Sequence, residues 1–169
     1  DTKRNQVFTT QAVIEAEREM IDHAKALAKH EAFSIEPKFI EAALATMAEQ
    51  GVTLSDEQVE AVMSACTSSS FAIQQGSAGA GKTTSLNVVR TAYQQAGFTV
   101  LGAATAKLAA NNLAEEAGIE TMTIARLLID IEQERSPLSA KSVLLVDEAG
   151  QLGSDQLASL LRHAREVQA

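Results

Sequence analysis

The hydrophobic residues in the first 50 positions recur at the spacing of a helix. One apolar stripe repeats every seven residues and consists of Val13, Ile14, Met20, Ile21, Leu27 and Ala28. Acidic and basic residues fill the positions between them, so the pattern predicts an amphipathic helix. This helix is predicted to begin after Thr9 and Thr10, which can cap it, and to extend to about Ala32.

Two more helices are predicted before residue 70. One begins at Pro37 and ends before Gly51, because proline fits the first turn of a helix and glycine fits its end. With the preceding helix it is expected to form a small helical hairpin. The next helix begins at Ser55, and Gln58 follows it at the spacing of a capping box.

From residue 71 onward, predicted strands and helices alternate. The strands are predicted at residues 71–75, 99–103 and 143–146. The helices are predicted from about 81 to 96, from about 105 to 117, at 124–131 and from about 154. The last strand is apolar at four consecutive positions, as a strand buried on both faces requires. Alternation of this kind predicts a parallel sheet with right-handed crossovers. We therefore expect an N-terminal helical region at residues 1–52 and an α/β domain at residues 53–169.

Composition narrows the class of protein. Of the 169 residues, 46% are hydrophobic and 21% are charged, which is typical of an ordinary globular domain. We expect a cytoplasmic protein with no membrane partner, since there is no membrane-spanning run or signal peptide and Cys66 is the only cysteine. The net charge of −8 argues against binding of nucleic acid by general charge attraction. Because the chain begins at Asp1, we expect an excised part of a longer protein.

A glycine-rich motif follows the first predicted strand. It consists of Gly76, Ser77, Ala78, Gly79, Ala80, Gly81, Lys82, Thr83 and Thr84. Up to Thr83 it matches the complete phosphate-loop pattern, in which backbone N–H groups and a helix N-terminus face phosphate oxygens. In this pattern Lys82 reaches the β- and γ-phosphates and Thr83 offers its hydroxyl to Mg²⁺. Lys82 is also the only charged residue between Glu60 and Arg90. We predict that this loop binds ATP or ADP with Mg²⁺.

Two carboxylates, Asp147 and Glu148, follow the apolar strand at 143–146. In P-loop ATPases an acid at this place holds Mg²⁺, and a neighbouring acid can take a proton from the attacking water. We expect Asp147 and Glu148 in these two catalytic roles, together with Lys82 on the phosphates. The alternative is a polar strand end that simply faces solvent. Because adjacent carboxylates suit hydrolysis better than transfer to a bound acceptor, the two motifs together predict hydrolysis of a nucleoside triphosphate.

The order of these motifs resembles the first half of a RecD-like superfamily-1 DNA helicase. The segments that carry the resemblance are residues 54–58, 76–84, 104–110, 123–128 and 146–149. Residues 7–10 and 147–153 more closely resemble the helicase part of conjugative relaxases of the TraA and TraI type. The resemblance implies a RecA-like P-loop domain with an incomplete three-layer parallel sheet. It also implies an ATP-dependent helicase or translocase that acts on single-stranded DNA in conjugative plasmid transfer.

The resemblance further implies roles for five polar side chains outside the two central motifs. Gln58 is implied to contact the adenine, either together with or instead of its part in the capping box. Thr105 and Lys107 are implied to contact the DNA backbone, and a helix cap with a solvated lysine is the alternative. Thr123 and Arg126 lie in the next DNA-contacting motif, although the residue before Arg126, often histidine in relatives, is alanine here.

The resemblance also implies segments beyond this chain. The sequence stops before the family's next motif, a strand ending in Gly-Asp-x-x-Gln, and before a second RecA-like domain that supplies arginines to the transition state. Arginines of this kind are worth ~10³–10⁵ in rate, so we expect the chain alone to bind nucleotide with little or no turnover. A relaxase domain in the same polypeptide is a further expectation.

Two other classes of protein remain as alternatives. The first is a P-loop kinase or nucleotide transferase, although no basic cluster follows Asp147. The second is a degenerate helicase domain that serves as a DNA-binding or docking module. The intact Lys82, Thr83, Asp147 and Glu148 argue against such decay.

Overall fold

The computed structural model describes residues 9–30, 34–67, 69–75 and 81–169. Helices and strands follow one another in the order α1 (Gln11–Ala28), α2 (Pro37–Glu49), α3 (Asp56–Thr67), α4 (Lys82–Gln95), β1 (Thr99–Ala104), α5 (Lys107–Ala117), β2 (Glu120–Thr123), α6 (Ile124–Glu132), β3 (Ser142–Val146) and α7 (Ser154–Val167). A short 3₁₀ turn over Ala149–Gln151 connects β3 to α7.

The described strands form one parallel sheet in the order β2-β1-β3. Central β1 pairs with both neighbours, so that Ala103 lies opposite Met122 on one side and Val146 on the other. Two crossovers, through α5 and α6, return the chain to the same end of the sheet. The predicted α/β class with a parallel sheet is thereby confirmed. The carboxyl ends of β1 and β3 lie side by side, which brings the residues after each strand together.

One predicted strand is wrong and one real strand was not predicted. Residues 71–75 form no strand, and Ile73 in their middle is 81% exposed. An apolar segment forms a strand only where a neighbouring strand pairs with its backbone, and residues 71–75 pair with none of the described strands. In contrast, β2 has no apolar run, yet its backbone pairs with β1 over four residues.

The sheet is covered on both faces, as the apolar run at 143–146 predicts. Along β3, Val143 and Leu145 pack into one hydrophobic cluster, and Leu144 and Val146 pack into the other. The first cluster joins the sheet to α2, α3, α4 and α5, and the second joins it to α6 and α7. Within the first cluster lies Cys66, whose thiol pKa is raised to about 12 by burial. None of the helices in the described ranges combines the length and hydrophobicity of a membrane span.

The N-terminal helices begin where the sequence predicts, but they pack differently from a hairpin. The Thr10 hydroxyl accepts a hydrogen bond from the Val13 amide at 3.4 Å and caps α1, and α2 begins at Pro37. α1 lies mainly along α7, where Arg162 forms an ion pair with Glu19 at 3.3 Å. α2 packs mainly against α4. Each helix therefore contacts the α/β part of the molecule more than the other helix, and the division at residue 52 stays a prediction.

Candidate nucleotide-binding site

The described part of the predicted phosphate loop begins at Gly81, directly before α4. Gly81 has φ +71°, in the left-handed region that favours glycine. A Cβ atom there would collide with the Gln58 side-chain amide nitrogen and would lie 3.3 Å from its Cδ. Glycine at this position therefore lets the chain pass directly against Gln58. Residues 76–80 and the Lys82 side chain lie outside the described part, so their phosphate contacts stay predictions.

The predicted capping box of α3 is confirmed. The Ser55 amide donates to Gln58 Oε1 at 2.8 Å, and the Gln58 amide donates to Ser55 Oγ at 3.3 Å. The first of these hydrogen bonds holds the Gln58 side chain beside the end of the loop. The cap thus places this amide next to Gly81, and the adenine contact of Gln58 stays a prediction.

Thr83 of the predicted phosphate loop and the acidic pair line one cleft of about 220 Å³. Its lining consists of Thr83, Leu86, Leu113, Glu116, Ala117, Asp147 and Glu148. Thr83 comes from the first turn of α4, and the two acids come from the end of β3. The fold therefore brings together the hydroxyl and the carboxylates that the sequence assigns to Mg²⁺ and water.

The backbone around the acidic pair is held by specific hydrogen bonds. The Asp147 amide donates to the Ala103 carbonyl at 3.0 Å, which extends the pairing of β3 with β1 by one residue. Asp147 Oδ1 accepts from the Glu148 amide at 2.9 Å. Glu148 itself has φ +52°, an uncommon conformation for a residue with a side chain. The chain therefore turns sharply here and leaves Asp147 half-buried and Glu148 exposed.

Two residues of the site were not predicted from the sequence. The Thr83 hydroxyl donates to Glu116 Oε2 at 3.1 Å, and the Asn87 side chain donates to the Glu116 carbonyl at 3.1 Å. Gln151 donates through Nε2 to Glu148 Oε2 at 2.9 Å. Glu116 lies outside every recognised motif, so no sequence signal pointed to it. Gln151 lies in the segment 147–153 that carries the resemblance, but its contact depends on the turn after β3.

The oxygen donors at the cleft fit a hard divalent cation such as Mg²⁺. A hydroxyl and a carboxylate, Thr83 and Asp147, line the same space. In the described ranges no three metal-ligating side chains are grouped closely enough to hold a metal by themselves. Mg²⁺ is usually bound by one or two carboxylates together with substrate phosphates and water.

The first pair of predicted DNA contacts lies beside the cleft. The Thr105 hydroxyl donates to Gln151 Oε1 at 3.2 Å, and Lys107 is exposed at the first residue of α5. The N-cap of α5 is Ala106, and no side chain caps this helix. The alternative of Thr105 as a plain helix cap is therefore wrong, and α5 begins two residues after the approximate start predicted at residue 105.

The second pair of predicted DNA contacts, Thr123 and Arg126, forms hydrogen bonds within the molecule. The Thr123 hydroxyl accepts from the Arg126 amide at 3.2 Å and caps α6. Arg126 Nε donates to Asp130 Oδ2 at 2.7 Å, and Arg135 approaches the other carboxylate oxygen at 3.4 Å. The hydrogen bond from Arg126, assisted by Arg135, lowers the pKa of the Asp130 carboxyl. A contact of Thr123 or Arg126 with DNA stays a prediction.

Comparison with known families agrees with this geometry. Residues 53–169 match the model described as AAA domain, which is more than half of the chain. The chain therefore belongs to the AAA domain family, and the P-loop fold expected from its motifs is confirmed.

Among curated proteins, the chain is similar to proteins of conjugal transfer. It is 33% identical over 160 residues to the "Probable conjugal transfer protein TraA" of Sinorhizobium fredii, covering 95% of this chain and 14% of that protein. It is 34% identical over 154 residues to the "Conjugal transfer protein TraA" of Rhizobium radiobacter and to that of Agrobacterium fabrum, covering 91% of this chain and 14% of each. The similarity to TraA proteins expected from the motifs is confirmed. No solved structure matches the chain.

Proposed function

We propose that this chain is the ATP-binding half of an ATP-dependent helicase or translocase that acts on single-stranded DNA during conjugal transfer. The observation that carries the proposal is the single cleft shared by Thr83, Asp147 and Glu148. A phosphate-binding helix start and two carboxylates at the end of a nearby strand are what nucleotide hydrolysis requires. The similarity to TraA proteins supplies the biological setting.

Each residue of the cleft has a distinct part in the proposed reaction. The loop and Lys82 bind the β- and γ-phosphates, and Gln58 orients the adenine. Thr83 and Asp147 hold Mg²⁺, which when bound offsets negative charge on the phosphate oxygens. Glu148 accepts a proton from the water that attacks the γ-phosphate. Thr84 continues the first turn of α4, whose N-terminal end carries a partial positive charge toward the phosphates.

The other partners of the proposed activity follow from the length of the relatives. The chain spans 14% of each TraA protein that it matches, so those proteins have room for further domains. We assign to a longer, cytoplasmic protein a second RecA-like domain that closes the cleft, and a relaxase domain. Thr105, Lys107, Thr123 and Arg126 would then form part of the track for single-stranded DNA.

A single-turnover assay tests this proposal on the 169-residue chain and on the longer protein that carries it. We expect ATP hydrolysis that is stimulated by single-stranded DNA only in the longer protein, because closure of the cleft and transition-state arginines come from the second domain. Glu148→Gln should abolish turnover in that protein without abolishing ATP binding. DNA-stimulated turnover by the 169-residue chain alone would contradict the proposed division of labour. Its absence from the longer protein would contradict the proposed function.

A further inference from the structure

The hydroxyl that the sequence assigns to Mg²⁺ has a hydrogen-bond partner on another helix. Thr83 Oγ1 donates to Glu116 Oε2 at 3.1 Å. An ionised carboxylate only accepts hydrogen bonds, so the single proton of this hydroxyl points to Glu116. The lone pairs of Thr83 Oγ1 therefore point elsewhere, and a lone pair is what a hydroxyl oxygen offers to a hard cation. Glu116 thus fixes an orientation in which Thr83 can act as a metal ligand.

A second contact holds Glu116 in place. Asn87 lies one helical turn after Thr83 on α4, and its side-chain nitrogen donates to the Glu116 carbonyl at 3.1 Å. Residues four apart lie on the same face of a helix, so Thr83 and Asn87 contact Glu116 from one face of α4. The Glu116 carbonyl belongs to the last turn of α5, where carbonyls have no partner within the helix. Asn87 satisfies this carbonyl and keeps the Glu116 side chain beside the cleft.

Glu116 can act on a cation through Thr83 without being a ligand itself. Glu116, Asp147 and Glu148 all line the cleft. Within the described ranges, however, no three acidic, histidine or cysteine side chains are grouped closely enough to hold a metal ion. Metal ligands are commonly oriented by an outer hydrogen-bond partner, which is often a carboxylate. The pair of Thr83 and Glu116 has this form.

We propose that Glu116 is a positioning residue for Mg²⁺, because it holds the Thr83 hydroxyl with its oxygen available to the cation. The inference rests on the proposed function, in which Thr83 and Asp147 hold Mg²⁺ beside the nucleotide phosphates. Glu116 also adds a negative charge to the cleft, and this charge repels phosphates that carry no cation. The residue therefore makes the site select metal-bound nucleotide over free nucleotide.

Calorimetric titration of the 169-residue chain with ADP, in excess Mg²⁺ and separately in EDTA, tests this role. Glu116→Leu removes the acceptor and should weaken ADP binding in Mg²⁺ about tenfold, as loss of an outer partner does at metal sites. Binding in EDTA should be equal or tighter, because a repelling charge is removed. Glu116→Gln keeps a side-chain oxygen that can accept from Thr83, so its loss in Mg²⁺ should be smaller. Glu115→Leu, at the neighbouring exposed position of α5, is the matched control and should bind like the unaltered chain.

A double-mutant cycle with Thr83→Ala shows whether Glu116 acts through the hydroxyl. In the Thr83→Ala background, Glu116→Leu should cause no further loss of ADP affinity in Mg²⁺, because the group that Glu116 orients is already absent. Additive losses from the two changes would overturn the proposed role.

The outcomes separate this inference from the proposed function. Equal weakening of ADP binding by Glu116→Leu with and without Mg²⁺ is what a merely structural role between α4 and α5 predicts, and it would overturn the inference. Unchanged affinity of Glu116→Leu under both conditions would overturn it as well. If the unaltered chain binds ADP with Mg²⁺, the nucleotide site of the proposed function stands in either case. Absence of ADP binding by the unaltered chain would overturn both.

Discussion

Two threonines at the same edge of the sheet each lie between a strand and a helix and are followed within three residues by a basic residue, but they have different partners. Thr105 follows β1 and Thr123 ends β2, and each precedes a helix. Thr123 caps its helix, and the nearby Arg126 is paired with Asp130. Thr105 instead reaches across to Gln151 in the turn after β3, and the nearby Lys107 is exposed. Thr123 thus stabilises the start of a helix, whereas Thr105 contacts a residue beside the candidate catalytic site.

The largest effect expected from this comparison is at Asp130, whose side chain is 12% exposed and contacts two arginines. Asp130→Ala should lower the urea midpoint more than any other substitution considered for these two motifs, because both guanidinium groups lose their partner. The pKa of Asp130 is lowered in the folded protein. Its contribution to stability is therefore full above its unfolded pKa of about 3.9 and is lost as pH falls through the folded pKa.

Urea unfolding at a series of pH values measures this prediction. Between neutral pH and about pH 3, the unaltered protein should lose more stability than Asp130→Asn, because only the carboxylate becomes protonated. Identical acid dependence of the two proteins would mean that the ion pairs with Arg126 and Arg135 do not stabilise the fold.

The next effect separates the two threonines directly. Thr123→Ala should reduce the free energy of unfolding by about 1 kcal/mol, because it removes the cap of α6. Thr105→Ala is the matched variant and should change stability by less than about 0.5 kcal/mol, since its hydrogen bond is partly exposed and caps no helix. Chemical denaturation of both variants gives the two values. Equal losses of unfolding free energy in the two variants would contradict the different structural roles of Thr123 and Thr105.

The smallest effect concerns DNA binding by the two basic residues. In the longer protein, Lys107→Ala should flatten the dependence of log affinity on log salt concentration by about one unit, as expected for one lost phosphate contact. Arg126→Ala should change the slope less, because Arg126 is already paired with Asp130. Fluorescence anisotropy at several salt concentrations measures both slopes. A larger change in salt slope for Arg126→Ala than for Lys107→Ala would contradict the assignment of the phosphate contact to Lys107.

The sequence predicted the elements whose signals are local. Thr10, Pro37 and the pair Ser55 and Gln58 mark helix starts through contacts within one turn, and each start was predicted within one or two residues. The apolar run at 143–146 correctly indicated a strand covered on both faces. Residues 71–75 and β2 were assigned wrongly because strand formation depends on a neighbouring strand, which a local pattern does not reveal.

The candidate site shows the same division between local and long-range information. Motif spacing identified Thr83, Asp147 and Glu148, and the fold places them at one cleft. The motif spacing gave no indication of Glu116, which approaches Thr83 only because α5 packs beside α4. The connection from Thr105 through Gln151 likewise depends on the adjacency of β1 and β3 in the sheet. Contacts between side chains from distant segments of the chain could be identified only from the structure.

Calorimetric titration of the 169-residue chain with ATP and Mg²⁺ tests whether this cleft binds a nucleotide. We expect one binding site, with affinity strongly reduced in Lys82→Ala because the phosphates lose the positive charge of the lysine. Lys141→Ala, which removes an exposed lysine away from the cleft, should bind like the unaltered chain. Equal affinity of Lys82→Ala and the unaltered chain, or no binding by either, would contradict the assignment of this cleft to a nucleotide.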